Sequence, residues 1–140
     1  MDIINATLFK EAFNETKKIY GNNFLFTEFY AKNQYFQLFT NKNKLIEFQM
    51  NSFPNTCGTA IISNLFYNTG KKSTKIAFKI IELTCKNARK TALIYLTASN
   101  QEAIQKLLHS LKWKKMDNPF INKNSKRLNT IHIKNIYIND

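Results

Sequence analysis

The chain has 140 residues, of which 44% are hydrophobic and 14% aromatic, and its formal net charge is +12. This length suits one domain, residues 1–140, and supplies enough apolar material for a packed core. No apolar run reaches the roughly 20 residues of a membrane-spanning helix. The first residues also lack the apolar segment of a signal peptide. We therefore expect a soluble, cytoplasmic protein with no membrane partner.

The N-terminal residues predict an amphipathic helix. Asn5 or Thr7 can cap its start, and Gly21 can end it. Between these signals the apolar residues recur at helical spacing: Leu8, Phe9, Ala12, Phe13, Thr16 and Ile19. We expect this stripe to face the core.

Three runs of aromatic and β-branched residues follow the first helix. They occupy residues 24–30, 35–40 and 45–50, and short polar segments rich in Asn and Lys separate them. Such runs joined by short polar turns are typical of antiparallel strands connected as hairpins.

The middle of the chain predicts a strand, a helix and a second strand. Residues 57–67 are β-rich and end at a turn signal, Asn-Thr-Gly at 68–70. From residue 72 to residue 90 the apolar residues recur with a period of 3.6, and lysines occupy the opposite face. Residues 91–98 are nearly all apolar, as in a strand buried on both faces. A helix that connects two such strands predicts a parallel pair.

The C-terminal part predicts one more helix and a terminal hairpin. Residues 101–112 carry a second apolar stripe, and Trp113 is expected to pack after it. Residues 120–121 and 130–138 are expected to pair, joined by a basic loop. The predicted fold class is α/β, with a mixed, mainly antiparallel sheet that contains one parallel pair and is flanked by helices.

This order of elements, with the residues between 57 and 133, resembles the GCN5-related N-acetyltransferase (GNAT) family. In that family a splayed fifth strand is followed by a helix with an Asn-x-x-Ala motif. The run LTASNQEAIQKLLHSLKWKK looks like this feature, with Asn100 and Ala103 at the motif spacing and Trp113 replacing the usual aromatic residue. Within the family, the chain resembles the small phage-encoded acetyltransferase-like proteins. The resemblance implies a GNAT-like domain whose parallel strands splay apart.

The family's fourth strand ends in a pyrophosphate loop of pattern Arg/Gln-x-x-Gly-x-Gly/Ala. Backbone N–H groups at the start of the next helix bind the phosphates. The segment NTGKKSTK can fill the three motif positions in two registers, with Tyr67, Gly70 and Lys72 or with Asn68, Lys71 and Ser73. The resemblance thus implies the cofactor-binding residues Asn68, Gly70, Lys71, Lys72, Ser73, Thr74 and, on the later helix, Asn100. The competing interpretation is that this segment is only the capped, solvent-exposed start of a basic helix and binds no cofactor.

The family's catalytic groups have no match at their usual positions. Family enzymes usually have a carboxylate on or near the fourth strand and a tyrosine in the last helix. Residues 57–67 contain no Asp or Glu, and the tyrosine position falls on Leu107 or Leu108. Glu28, Glu47 and Tyr95 are candidates for these roles on other strands, but nothing in the sequence places them at the reacting centre, so the catalytic residues stay unassigned. Acyl transfer can proceed largely by proximity, so an enzyme is still favoured.

The cysteines and histidines predict no metal site. Cys57 and Cys85 form no Cys-x-x-Cys pair, and His109 and His132 are isolated. Cys85 is expected to be an inert residue beside the apolar stripe of the middle helix. Cys57 has no neighbouring His or carboxylate in sequence to activate it.

Two functions from different classes follow. The first is an acyl-CoA-dependent N-acyltransferase that binds acetyl-CoA and acylates an unknown amine. The alternative is a catalytically inactive GNAT-fold protein whose basic surface engages a host macromolecule, an acidic protein or a nucleic acid. The 19 lysines favour a polyanion, but with 19 asparagines and only two arginines they are also what an AT-rich genome produces. We place the acyltransferase first.

Overall fold

A computed structural model of the chain describes residues 4–51, 58–67, 70–96, 101–116 and 135–139. Within these ranges the helices and strands are α1 (Ala6–Tyr20), β1 (Glu28–Lys32), β2 (Tyr35–Thr40), β3 (Asn43–Asn51), β4 (Thr59–Tyr67), α2 (Lys71–Asn87), β5 (Thr91–Leu96), α3 (Gln101–Ser110), β6 (Lys114–Met116) and β7 (Asn135–Asn139). None of these described helices is both long enough and apolar enough to cross a membrane.

The described strands form a single sheet in the order β1-β2-β3-β4-β5-β7-β6. Among the pairs of neighbours in this sheet, only β4 and β5 are parallel, with Thr59 opposite Thr91 and Ile62 opposite Ile94. The predicted α/β class, with a mixed, mainly antiparallel sheet and one parallel pair, is confirmed. Helix α2 is the crossover between the two parallel strands, as the sequence pattern of the middle of the chain predicts.

Helix α1 begins and ends as predicted, but its buried stripe differs at one position. The side chain of Asn5 accepts a hydrogen bond from the backbone N–H of Leu8 at 2.9 Å, and Gly21 follows the last turn with a φ of +56°. Ile19, predicted to face the core, is 58% exposed. Tyr20 packs against the core instead, because it lies four residues after the buried Thr16 and so continues the same face of the helix.

Aromatic rings from the first three strands form the core beneath α1. The ring of Phe9 lies 5.4 Å from Phe29, 4.7 Å from Phe36 and 6.0 Å from Phe48, measured between centroids. Phe36 and Phe48 stack across β2 and β3 at 5.8 Å. Phe9, Phe36 and Phe48 are all fully buried. One side chain of α1 thus holds the helix against three strands.

The first strand lies later in the chain than predicted. The run at residues 24–30 was expected to be a strand, whereas β1 is Glu28–Lys32. Lys32 pairs with Tyr35, so the connecting turn contains only Asn33 and Gln34. Asn33 has a φ of +57°, a conformation that asparagine tolerates better than most residues. The turn is therefore Asn33 and Gln34, and residues 31 and 32, expected in the polar segment between the strands, belong to β1.

The second hairpin also has a two-residue turn. Strand β2 matches its predicted bounds, and β3 begins at Asn43 rather than at residue 45. Asn41 and Lys42 have φ values of +49° and +69°. Two consecutive residues with positive φ are typical of the type I′ turn, whose twist matches that of the paired strands.

Helices α2 and α3 both end earlier than predicted, through the same backbone motif. In α2 the N–H groups of Arg89 and Lys90 donate to the carbonyls of Lys86 and Cys85 at 3.0 and 2.8 Å. Arg89 has a φ of +59°, which turns the chain out of the helix. The helix therefore ends at Asn87 instead of continuing to residue 90.

At the end of α3 the N–H of Trp113 donates to the carbonyl of Leu108 at 2.9 Å, and Lys112 has a φ of +67°. The helix therefore ends at Ser110 rather than at residue 112. Trp113 packs after the helix as predicted: it is buried, and its ring lies 6.3 Å from that of Phe78 in α2.

The described part of the predicted C-terminal hairpin, strand β7, lies between two other strands. Strand β7 pairs with β6 on one side and with β5 on the other, antiparallel in both cases. The predicted partner at residues 120–121 and the first part of the predicted last strand lie outside the described residues. The chain leaves α3 through the turn at Lys112 and becomes extended at once, so Lys114–Met116 forms the strand that the sequence pattern did not indicate.

Candidate functional site

The parallel strands separate at one end of the sheet. Their register runs from Thr59 and Thr91 to Ile62 and Ile94, whereas β4 continues to Tyr67. Beyond Ile94, β5 continues in register with β7 and no longer with β4. The C-terminal parts of β4 and β5 therefore leave an opening between neighbouring strands of the sheet.

A bulge in β4 lies beside this opening. Across β3 and β4, Glu47 is opposite Phe66 and Gln49 is opposite Ser63, so β4 has one residue more than β3 between these pairs. Asn64 lies in this interval with a φ of +53°, and its side-chain amide donates to the side-chain oxygen of Gln49 at 3.0 Å. A bulge bends its strand, which is consistent with β4 turning away from β5 here. In the sequence, this bulge is indicated by an asparagine inside a β-rich run.

Three residues separate the end of β4 from the start of α2, where backbone N–H groups are available as donors. Gly70 is its N-cap, with extended backbone angles of φ −78° and ψ 171°. No described side chain caps the helix, and its first turn contains no acidic residue. The N–H groups of residues 71–73 therefore have no acceptor within the helix, and they add to its positive dipole end. In α1 the corresponding position is capped by the side chain of Asn5.

The structure brings five of the seven predicted cofactor-binding residues together at this helix start. Gly70 and Lys72 are exposed, whereas Ser73 and Thr74 are buried, and the backbone of Lys71 opens the first turn. The hydroxyl of Thr74 donates to the carbonyl of Gly70 at 3.0 Å, so it supports the turn rather than pointing outward. Asn68 and Asn100 lie outside the described residues.

The charge around the helix start is positive. Lys72 and Lys75 are exposed in the first two turns, and Lys79 follows one turn later. The Nζ of Lys79 lies 3.6 Å from a carboxylate oxygen of Glu82, a surface ion pair that contributes little to stability. An anion at the start of α2 would therefore meet backbone donors and two exposed lysines.

The carboxylates that were candidates for proton transfer lie on other strands. One carboxylate oxygen of Glu47 accepts from the side-chain amide of Gln37 at 2.8 Å, and the other accepts from Lys44 at 3.3 Å. The bond from Gln37, followed by the contact with Lys44, lowers the pKa of Glu47, although partial burial opposes this. Such a carboxylate is a weaker base than an unpaired one. Glu28 lies on β1, three strands from β4.

Leu107 and Leu108, at the family's tyrosine position, are buried in the core. The described part of the chain therefore has no tyrosine hydroxyl at that position of α3. Proton transfer has no assigned residue among the described side chains.

Cys85 is buried in α2, and loss of solvation raises the pKa of its thiol to about 12 from 9.0, while Lys90 opposes the shift. The unfolded state then loses this proton before the folded state does. The stability that the neutral thiol contributes is complete below pH 9 and is lost as the pH rises from 9 towards 12.

We expect the free energy of unfolding to fall more steeply in this interval for the wild type than for Cys85→Ala. Urea unfolding of both proteins at pH 7, 9 and 10.5 measures this, and parallel pH profiles would contradict the burial of the thiol.

A mixed sheet whose parallel pair opens beside the start of the crossover helix is the architecture of the GNAT fold. A solved acetyltransferase of the GNAT family from Staphylococcus aureus Mu50 superposes with a TM-score of 0.53 and 13% identity, over 99% of this chain and 95% of that one. The present chain therefore has the GNAT fold, as the sequence resemblance implied. At this level of identity the likeness shows the fold alone.

Two further solved structures match over part of the chain. Ard1 from Thermoplasma volcanium has a TM-score of 0.46 at 10% identity and covers 75% of this chain and 67% of its own. Arabidopsis thaliana Naa50, solved in complex with the bisubstrate analogue CoA-Ac-MVNAL, has a TM-score of 0.44 at 12% identity and covers 74% and 69%. No family model matches the sequence, and no curated protein matches it either. These matches give no support to the phage-type part of the resemblance.

Proposed function

We propose that this protein binds acetyl-CoA and transfers the acetyl group to an amine. The observation that carries the proposal is the position of the strand opening, which lies directly beside the start of α2, where no described side chain caps the helix. An elongated ligand with an anionic end can place its charge on the helix and its arm between the strands. Acetyl-CoA has this form, and the GNAT fold of the chain agrees with it.

In this proposal the diphosphate lies on the N–H groups of residues 71–73. Gly70 leaves room for its approach, Lys72 adds charge, and Asn68, Ser73 and Thr74 complete the loop. The pantetheine arm lies between β4 and β5, where Asn100 is expected to hydrogen-bond to it. The amine nitrogen bonds to the thioester carbon and loses a proton, the carbon–sulfur bond breaks, and the departing sulfur takes up a proton. Holding the two reactants together supplies much of the rate enhancement.

Calorimetric titration with acetyl-CoA tests the proposal. We expect saturable binding with a Kd on the order of micromolar. Acetyl-pantetheine is the matched control, because it has the same thioester arm and lacks the diphosphate. We expect it to bind at least about tenfold more weakly, since it loses charge-assisted hydrogen bonds. Absence of heat with acetyl-CoA at high protein concentration would refute the proposal.

The acceptor is expected to be acidic or to carry a nucleotide. The chain has 21 basic and 9 acidic residues, so a cationic acceptor would be repelled on approach. An acidic protein or a nucleic acid is therefore the partner class to test first. Acetyl transfer from labelled acetyl-CoA to acidic and basic peptides of equal length would distinguish the two charge classes.

A second candidate is a catalytically inactive binding protein with the same fold. It is favoured by the buried Leu107 and Leu108 at the family's tyrosine position and by the absence of a carboxylate from β4. A gel shift with nucleic acid at low and moderate salt, run beside the acetyl-CoA titration, separates the candidates. Nucleic acid retained at moderate salt, together with no acetyl-CoA signal, would place this candidate first.

A further inference from the structure

A second basic site lies at the opposite end of α2. A cleft of about 400 Å³ opens between the last turns of α2 and the first residues of β5. Its lining includes three cations, Lys86, Arg89 and Lys90, and one carboxylate, Glu82. The helix has 17 residues, so the cleft lies roughly 25 Å from the start of α2. It is therefore separate from the acetyl-CoA site proposed above.

Two cations of this cleft, Lys86 and Arg89, form no ion pair with an acidic group among the described residues. Glu82 already forms an ion pair with Lys79 at 3.6 Å. Cys85, which also lines the cleft, stays neutral because burial raises its pKa to about 12. The side chains of Lys86 and Arg89 belong to exposed residues at the rim. An anion at the rim of the cleft would therefore meet the side chains of Lys86 and Arg89.

Cations at the end of a helix can also serve to cap its last carbonyls. Here the backbone already does so, because the carbonyls of Thr84, Cys85 and Lys86 accept from the N–H groups of residues 88, 90 and 89. The side chain of Arg89 is therefore not needed to end the helix. A guanidinium at the rim of a cleft is suited to bidentate binding of a phosphate.

The end of α3 provides an internal comparison. Lys112 has the same left-handed backbone and the same place in the helix-ending motif as Arg89. It is not part of the lining of the cleft. The backbone motif is therefore common to the ends of α2 and α3. The cleft and its cations distinguish the end of α2 from the end of α3.

We propose that the cleft formed by Lys86, Arg89 and Lys90 binds the phosphate group of a small phosphorylated ligand, at a site remote from the opening between β4 and β5. A cleft of this volume accommodates a phosphate with a small organic group attached. Arg89 binds the phosphate oxygens, and Lys86 adds charge on the same side of α2.

The test is a titration of the isotope-labelled full chain with inorganic pyrophosphate, followed by amide NMR. We expect saturable shifts at residues 86–92. Arg89→Gly keeps the left-handed backbone, since glycine adopts it freely, and should weaken binding at this site about tenfold by removing a charge-assisted contact. Arg89→Asn, also tolerated in this conformation, should give the same loss. The matched control Lys112→Gly removes one charge at the same motif position and should change the affinity less than about twofold.

Several outcomes overturn the proposal. One is the absence of saturable shifts at residues 86–92, whether or not shifts occur at residues 70–74. Another is an equal loss of affinity in Arg89→Gly and Lys112→Gly, because net charge alone would then explain binding. A third appears with a short DNA duplex: shifts along all of α2, without saturation by pyrophosphate at the cleft, would indicate a surface for nucleic acid instead. Binding of acetyl-CoA is followed by shifts at residues 70–74. A failure of the proposed function can therefore be distinguished from a failure of this second site.

Discussion

Replacing Gly70 with aspartate is expected to stabilise the fold and at the same time to abolish binding of acetyl-CoA. Gly70 has the extended backbone of an N-cap, and a Cβ built there meets no atom within 4 Å. An aspartate can therefore accept from the free N–H groups of the first turn, which should raise the free energy of unfolding by about 0.5–1 kcal/mol. The same carboxylate occupies the place of the diphosphate and repels it. We expect the affinity for acetyl-CoA to fall at least about a hundredfold, as two charge-assisted hydrogen bonds are lost.

Urea unfolding and calorimetry of the same preparations measure the two effects. Gly70→Ser is the matched control, because it caps the helix without adding charge. It should give a smaller gain in stability, of about a few tenths of a kcal/mol, and a smaller loss of affinity. If Gly70→Asp bound acetyl-CoA as the wild type does, the diphosphate would not lie at the start of α2.

The largest loss of stability is expected for Phe9→Ala. Phe9 is fully buried, and its ring contacts Phe29, Phe36 and Phe48 on three different strands. Truncation removes the apolar side chain and leaves a cavity between α1 and the sheet. Such substitutions lower the free energy of unfolding by about 3–5 kcal/mol, a large fraction of the total for an ordinary domain.

The control for Phe9→Ala is a substitution at an exposed position of the same helix. Ile19 is 58% exposed, so Ile19→Ala should change the free energy of unfolding by less than about 0.5 kcal/mol. The midpoints of urea unfolding measure both variants. Equal losses in the two would mean that α1 does not dock through Phe9.

The sequence was sufficient to predict the parallel pair and the helix that connects it. Both strands are apolar and close in sequence, and α2 changes the apolar period from 2 to 3.6 between them. The start of α1 was predictable for the same reason, since Asn5 is a local cap. Features that depend on neighbouring residues in the chain could therefore be predicted from the sequence.

Features that depend on distant partners were not accessible from the sequence. Strand β6 has three residues and pairs with β7, about twenty residues later, so no local pattern marks it. The bulge at Asn64 exists only relative to the register of β3. The cleft at the end of α2 requires β5 beside the helix end. At the candidate site, the position of the loop was predictable and the family resemblance implied the strand opening, whereas the bulge beside that opening was not predictable.

The position of β7 between β5 and β6 has a consequence for synthesis of the chain. Strands β1 to β5 can pair in the order in which they leave the ribosome, but the outer edge of β5 has no neighbour until residues 135–139 have been made. Until then, β5 presents apolar residues and unpaired backbone groups that can pair with another nascent chain. Aggregation during expression should therefore depend on how quickly β7 inserts, and chaperones that shield exposed strand edges should raise the soluble yield.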